Sequence, residues 1–482
     1  MTLSQRLFVA ACAVLLAACA AGPNYERPAL DMPVAWKIEP PWREGAPNDL
    51  AAKGPWWLRF GDPQLDVLEQ QALAANPTLA AASARLTQAR AQVASASASL
   101  YPQLGIAARA GRAAISANRP RTNYSAPNFS TVQDDYIATL TVSYEIDLSG
   151  RIQRTIEGAQ ATAEQTASDL ENTRLLVTTD LAAAYFSLRE IDTEIDVLAR
   201  SIDLQRRALE LATARHDLGA ASGLDVAQQQ ALLDSTLTQV DVLRRIRGQF
   251  EHAIATLTGT SAPLFSIAPE VKRLAPPAVP IGVPSDILQR RPDVASAERA
   301  MAAANAQIGV ATAAFYPNIT ISPTLYGGES VSLPSLFSAP NLIWALGVTI
   351  LQPVFDAGRI RANVDFAKGG YDVTVANYRR VVLIAMQEAE DGITGLAALD
   401  SATAQALVAI ESTRRVLDLA NDRYEGGVAT YLDVITAQQA LLNNERLAAQ
   451  LQGQQLLTSV FLIKALGGDW QGSGKLATGS AQ

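Results

Sequence analysis

The chain is written twice, and that restricts its architecture more than any other feature. Tyr101-Pro102, Gly150-Arg151-Ile152, Leu224-Asp225-Val226 and Leu257-Thr258-Gly259 return as Tyr316-Pro317, Gly358-Arg359-Ile360, Leu432-Asp433-Val434 and Leu466-Gly467. Gly150, Leu224 and Gly259 each recur 208 residues later, at Gly358, Leu432 and Gly467, and the Tyr-Pro pair sits at 215. A repeat held in register this long is a duplicated domain-sized unit, far beyond the period of a solenoid of roughly 20–50 residues. Each copy carries segments of helical period and segments of strand period, so two equivalent mixed units must assemble into one body.

The amino terminus has the form of a processing signal. Arg6 precedes an apolar stretch from Leu7 to Ala18, too short to span a bilayer. It ends in Leu16-Ala17-Ala18-Cys19, which resembles the bacterial lipobox. The resemblance implies a covalent lipid on Cys19 and cleavage before it; the alternative is an ordinary secretory signal with an incidental cysteine. Ala20 in place of Asp favours the outer membrane by family rules, and several acyl chains anchor far more firmly than one. Cys12 is the only other cysteine, so the mature chain has no partner for an internal disulfide. The balance is mildly acidic, 39 Lys+Arg against 47 Asp+Glu, without a basic patch. Nucleic acid is therefore not an expected partner. His216 and His252 lack ligand-spaced partners, which favours surface histidines over a metal site.

Residues 19–61, rich in Pro and Trp, are expected to lie extended over the body. A first structural repeat is expected over 62–260, a Pro-rich linker over 261–284, a second repeat over 285–470 and a disordered tail over 471–482. Asp62-Pro63 and Asn76-Pro77 each place a capping residue before a proline at the first helical position. After Tyr101-Pro102 the period changes to two. From Tyr136 to Leu148, Tyr136, Ala138, Leu140, Val142, Tyr144, Ile146 and Leu148 share an apolar face, while Ile137, Thr139, Thr141, Ser143, Glu145 and Asp147 share the other. That alternation fits a strand between lipid and lumen; a soluble hairpin packed on helices is the alternative. Leu104, Ile106, Ala108 and Ala110 mark its partner strand, with a loop expected over 114–134. The second copy repeats the pattern with Ile319, Ile321 and Leu325 on one strand. Trp344, Leu346, Val348 and Ile350 mark the other, with a loop over 328–341.

From Gly150 to Leu218 the period is helical with almost no breaker, about 100 Å at 1.5 Å per residue, and Leu224–Leu257 runs back. Gly358 to Glu425 and Tyr431 to Leu466 repeat the layout, and the spacing of apolar residues argues for extended coiled-coil packing. No run of 18 apolar residues follows the signal, so the expected membrane crossing is by strands. One chain supplies only four, and four cannot enclose a usable lumen. Open edges are not tolerated in lipid. Several copies must close one barrel; three would give twelve strands.

Tyr144-Glu145-Ile146-Asp147-Leu148-Ser149-Gly150-Arg151, Arg290-Arg291-Pro292-Asp293, Ala314-Phe315-Tyr316-Pro317 and Pro353-Val354-Phe355-Asp356-Ala357-Gly358 resemble the TolC/OprM outer-membrane factor family, in its lipoprotein efflux branch. Arg423-Tyr424-x-x-Gly427-Val428-x-x-Tyr431-Leu432-Asp433-Val434 and Lys464-Ala465-Leu466-Gly467-Gly468-x-Trp470 complete the match. The resemblance implies an α+β membrane protein: a trimeric 12-stranded outer-membrane β-barrel continuous with a long periplasmic α-helical barrel. It implies a homotrimer in outer-membrane lipid, docked to a periplasmic adaptor (membrane fusion) protein and an inner-membrane RND-type pump. The activity implied is passive export of drugs or toxic solutes, with no enzyme chemistry and no cofactor beyond the lipid on Cys19.

By the same resemblance Leu432 falls at an apolar constriction. Arg423 and Tyr424 fall at interhelical locking contacts, with Asp225 and Asp433 as nearby acidic partners. Glu425 stands where some relatives carry a basic residue, and Thr436 and Gln439 stand where they carry an Asp–Arg pair, so a lock built from those charges is missing or rebuilt. Ser222-x-x-Asp225 and Thr430-x-x-Asp433 also fit capping boxes, so both aspartates have a purely structural reading. His216-Asp217 against Tyr424-Glu425, and Gly223 against Tyr431, mark where the copies differ at the turns. No phosphate loop, nucleophile elbow or metal cluster appears. The alternatives are a protein-secretion channel, a heavy-metal efflux channel (only Met32, Met301 and Met386 remain for a soft-metal relay) and a non-conducting coiled-coil lipoprotein.

Overall fold

The computed structural model describes residues 21–26, 54–118, 131–272, 274–277 and 290–468. The signal, Cys19, Trp36, Trp42, the tip of the first hairpin and the expected tail lie outside them. In order, the main elements are α1 (Pro63–Ala75), α2 (Pro77–Ser97), β1 (Gln103–Ile115), β2 (Thr131–Ile146), α3 (Arg151–Asp217) and α4 (Gly223–Leu257). There follow α5 (Pro292–Ala313), β3 (Asn318–Ile321), β4 (Thr324–Ser330), β5 (Leu342–Ala345), β6 (Val348–Leu351), α6 (Arg359–Glu425) and α7 (Tyr431–Ala465). The duplication is visible in the lengths: α3 and α6 have 67 residues each, α4 and α7 35 each. The chain divides into two compact units, one containing the sheet and one containing the helix-hairpin turns.

In the sheet unit, β2 is central. It pairs antiparallel with β1 on one side and with β3 and β4 on the other; β4 then pairs with β5, and β3 with β6. The register places Leu104 opposite Val142, Ile106 opposite Leu140 and Ala108 opposite Ala138. On the other side Tyr144 meets Ile321 and Ile146 meets Ile319, and those in turn meet Val348 and Ile350. Opposed residues share a face, so the apolar residues form continuous rows across the sheet. Among the described residues only the return between β4 and β5 lies on this face, at Tyr326 and Gly328; the rows are otherwise open, and Ile106 is 84% exposed.

Four strand expectations need correction. The loop over 114–134 is shorter, because β1 and β2 pair five residues further, from Gly111 with Asp135 to Ile115 with Thr131. Ion pairs on this extension, Arg109–Asp135 at 2.6 Å and Arg112–Asp134 at 3.7 Å, favour the longer ladder. In the second copy each strand is broken: Ser322-Pro323 separates β3 from β4, since proline has no N–H for the ladder, and Leu346-Gly347 separates β5 from β6. β4 also continues through Ser330, into the region expected to be loop. Leu148 lies beyond the end of β2, where the chain turns through Gly150 at φ +74° into α3.

Ala21 to Asn24 are bound against the start of α3. The Ala21 N–H donates to the Ser149 carbonyl at 2.9 Å. Arg154 donates to the carbonyls of Ala21 and Gly22 and to Asn24 Oδ1. Close approach requires Gly309, where an added Cβ would lie 2.7 Å from Arg154 Cγ.

In the other unit the core gathers Leu65, Leu181, Tyr185, Phe186, Leu188, Val460 and Ile463. Trp56 and Trp57 join it from a short 3-10 helix, Trp56–Phe60, so the end of the segment expected to be extended is helical and buried. Asp62 caps α1 through Gln64 N, and Asn76 caps α2 through Thr78 N and Leu79 N, as the sequence predicts. The stretch expected as a plain linker is partly core. Ile267 is buried, and Lys272 donates to both oxygens of buried Asp62, which also accepts from the Tyr185 hydroxyl at 2.6 Å. Of the helices among the described residues, α6 alone is long and apolar enough over part of its length to cross a membrane; it is one unbroken 67-residue helix, several times longer than a single span needs.

Candidate gate at the helix-hairpin turns

The backbones of the two turns close in the same way. Gly219 and Gly427 adopt φ of +76° and +74°, a conformation that glycine takes without Cβ strain. The N–H of Ala220 then reaches back to Arg215 O, and that of Val428 to Arg423 O. Each returning helix starts at a cap. Asp225 Oδ2 accepts from the Ser222 N–H at 3.2 Å, and Asp433 Oδ2 accepts from the Thr430 N–H at 3.0 Å. In the second turn the Thr430 hydroxyl also donates to Asp433 Oδ2. The structural reading of both aspartates is therefore realised, with the carboxylates also favourably placed at helix N-termini.

The side chains on these matching backbones differ. Tyr424 and Tyr431 pack ring to ring at 5.0 Å between centroids, tilted by 55°. Their equivalents 208 residues earlier, His216 and Gly223, are also neighbours: a Cβ added at Gly223 would lie 3.6 Å from His216 Cε1. His216 Nδ1 is 3.1 Å from Ala221 O, within its own turn. So one copy has an aromatic pair where the other has a histidine over an empty position.

The aromatic pair is tied to the first copy. The Arg215 guanidinium lies over the Tyr424 ring at 4.9 Å, within reach of a cation–π attraction. The Tyr431 hydroxyl donates to Gln229 Oε1 at 2.9 Å in a buried bond, and Gln229 Nε2 donates to Gln205 O at 3.0 Å. A chain of contacts thus runs from α3 through α4 to α7. Burial first, and then the nearby Tyr424 and Asp225, push the Tyr431 phenol up to about 12. Leu232, Val434 and Ile435 complete the apolar floor.

Leu432 is 52% exposed beside this cluster. Arg423 and Glu425 are exposed, and among the described residues neither side chain has an ion-pair partner. Arg423 does not meet Asp225 or Asp433 within the chain; both carboxylates are occupied by backbone N–H groups. Arg215 and Gln229, which the sequence did not single out, are brought to the centre. Their one available signal was the 208-residue offset: Arg215 is the counterpart of Arg423, and Gln229 is that of buried Ala437. Among the described residues no group of three or more His, Cys, Asp or Glu could hold a metal ion.

Known proteins share this architecture. A family model described as outer membrane efflux protein matches residues 68–260 and 283–468. The chain is 31% identical over 472 residues to the pyoverdine export outer membrane protein OpmQ of Pseudomonas aeruginosa, covering 98% of each. The solved outer-membrane channel OprN superposes with a TM-score of 0.85 at 28% identity, over 94% of this chain and 100% of that one. The CmeC outer membrane channel of Campylobacter jejuni gives 0.86 at 25% identity, over 94% and 95%. With the family model matching both copies, the chain belongs to the outer membrane efflux protein family.

Proposed function

We propose that three copies of this chain form the passive outer-membrane conduit of a tripartite efflux system, fed by a periplasmic adaptor and an inner-membrane pump. The single observation that carries the trimer is the unclosed sheet. β1 bounds one side, β5 and β6 the other, and the uncovered apolar rows demand lipid. Twelve strands from three copies supply the closure. Cys19, acylated, holds the protein to the membrane; the lashing of Ala21–Asn24 beside the end of β2 fits an anchor at the base of the sheet. The conduit does no chemistry, and the export of small solutes, of the kind the name of OpmQ indicates for that relative, draws its energy from the pump.

The turns are the closing end. Asp225 and Asp433 set the helix starts, and Tyr424 with Tyr431 holds the second hairpin against the first through Arg215 and Gln229. Leu432 projects as the apolar constriction, while Arg423 and Glu425, without ion-pair partners among the described residues, face neighbouring copies. Opening then requires the aromatic tie to break. In planar bilayers, Leu432→Ala and Arg423→Ala are each expected to raise single-channel conductance of the purified protein. Unchanged conductance in both would remove these residues from the gate.

A further inference from the structure

The second hairpin ends in a folded flap rather than an open loop. Short 3-10 turns at Leu333–Ser335 and Ala339–Asn341 return the chain from β4 to β5. The flap lies on the apolar face of the sheet. Phe337 stacks on Tyr326 at 6.0 Å and 11°. Leu336 sits so close to Gly328 that a Cβ there would clash with its carbonyl. Tyr326 and Gly328 oppose Leu140 and Ala138, members of the row read as lipid-facing.

Three properties distinguish this flap from a water-exposed loop. From Ser330 to Phe355 the sequence has no Asp, Glu, Lys, Arg or His, whereas the first hairpin carries Arg112, Arg119, Arg121, Asp134 and Asp135 around its tip. Its outer surface presents large apolar side chains beside two exposed serines: Val331 is 66% exposed, Leu333 62% and Phe337 55%. A large part of its polar complement is satisfied from within. Ser335, Leu336, Ser338 and Asn341 donate their N–H groups to carbonyls inside the flap. The hydroxyls of Ser335 and Ser338 donate to Ser332 O and Ser335 O, and Asn341 Nδ2 donates to Ser335 O at 2.8 Å. Pro334 and Pro340 remove two further donors. Internal bonding of this kind lowers the cost of leaving water, so the segment can sit at the acyl boundary with its remaining N–H groups turned to the headgroup layer.

The level agrees. β4 ends at Ser330 opposite Tyr136, and the first ion pair of the apolar face, Arg112–Asp134, lies just beyond on the β1–β2 extension. From an uncharged, internally bonded flap continuous with the lipid-facing rows, we infer that residues 331–341 form a membrane-interface anchor. Val331, Leu333 and Phe337 would insert among the acyl chains of the outer leaflet. This rests on the barrel reading above.

The mature chain has no cysteine besides Cys19, so nitroxide labels at Phe337→Cys, Leu333→Cys and Val331→Cys can be read against the unsubstituted chain as blank. Ile106→Cys on the sheet face and Ser116→Cys at the first hairpin serve as lipid and water references. In phosphatidylethanolamine–phosphatidylglycerol vesicles the flap labels should relax several-fold more with oxygen than with a nickel chelate, as at Ile106, and opposite to Ser116. Preferential relaxation by the nickel chelate overturns the anchor, and so does protection from both agents, which would mean burial against another copy. If Ile106 itself reports water, the barrel reading fails; if only the flap does, the anchor fails alone. Val331 keeps the test available where Phe337→Cys disturbs the stack on Tyr326.

Discussion

At the scale of single residues, the two turns separate what is shared from what is specific. The glycine at positive φ and the capping aspartate occur in both copies and were legible in sequence, because each is demanded by local backbone geometry. The Tyr431–Gln229 bond was not legible, since it joins residues about 200 positions apart whose types carry no pairing signature. Its loss has a definable cost. Tyr431→Phe leaves Gln229 Oε1 buried without a donor, a penalty of about 1–3 kcal/mol, and should lower the thermal midpoint. Gln229→Leu also breaks the bond to Gln205 O, so the two substitutions are read as a double-mutant cycle, in which that loss cancels and the two positions should couple. If the cycle shows no coupling, the bond is not the reason that Tyr431 matters. The raised phenol has a stated sign as well. A group whose folded value is moved up to about 12 contributes stability present below the ordinary tyrosine range, near 10, and loses it as pH rises through 12. This tie is therefore intact throughout the neutral range.

At the scale of elements, helices were more legible than strands. The 3.6-residue period of α3 and α6 runs for 67 residues without a breaker, so their ends fall within a residue or so of the glycines and caps that define them. The second-copy strands read as continuous because alternation survives across Ser322-Pro323 and Leu346-Gly347; only the missing ladder donor of Pro323 hinted at the break. Long helices also hide chemistry inside their packing. On α3, Glu190 lies against α7, where a Cβ on Gly453 would overlap its carboxylate. Glu194, one turn later, is held by Arg446 and Gln450. Burial, with Glu194 adding repulsion, moves the Glu190 carboxyl up to about 7. A raised acid stabilises the fold fully below its unfolded range, near 4.3, and the contribution is lost as pH rises through about 7. Thermal stability should thus fall between pH 5 and 8 (roughly the span from the unfolded to beyond the shifted value). Glu190→Gln should be more stable than the unsubstituted protein at pH 8 and flatten that slope. A parallel slope in the variant would assign the pH dependence to other groups.

At the scale of the whole molecule, the sheet cannot be understood within one chain. Four strand tracks with two open sides and an uncovered apolar face are unstable in water and unsatisfied in lipid, so assembly is a requirement of the backbone. The particle in mild detergent should accordingly have about three times the chain mass, and a monomer would contradict closure by copies. The alternation assigns the two faces with single-residue resolution, which permits a sharper test. Ile106 lies in the row with Leu140 and Tyr326, whereas Ala107 pairs with Thr139 on the opposite face. A lysine on the lipid side near mid-bilayer costs about 2–4 kcal/mol, while lumen-facing substitutions mainly tune selectivity. Ile106→Lys should therefore impair membrane insertion and heat-resistant assembly, and Ala107→Lys, one residue away, should insert and assemble normally. Because both carry the same new charge on the same strand, general effects on synthesis or folding cancel in the comparison. Equal behaviour of the two would mean that lipid and lumen do not divide along the pleat, and the barrel would have to be rebuilt from another register.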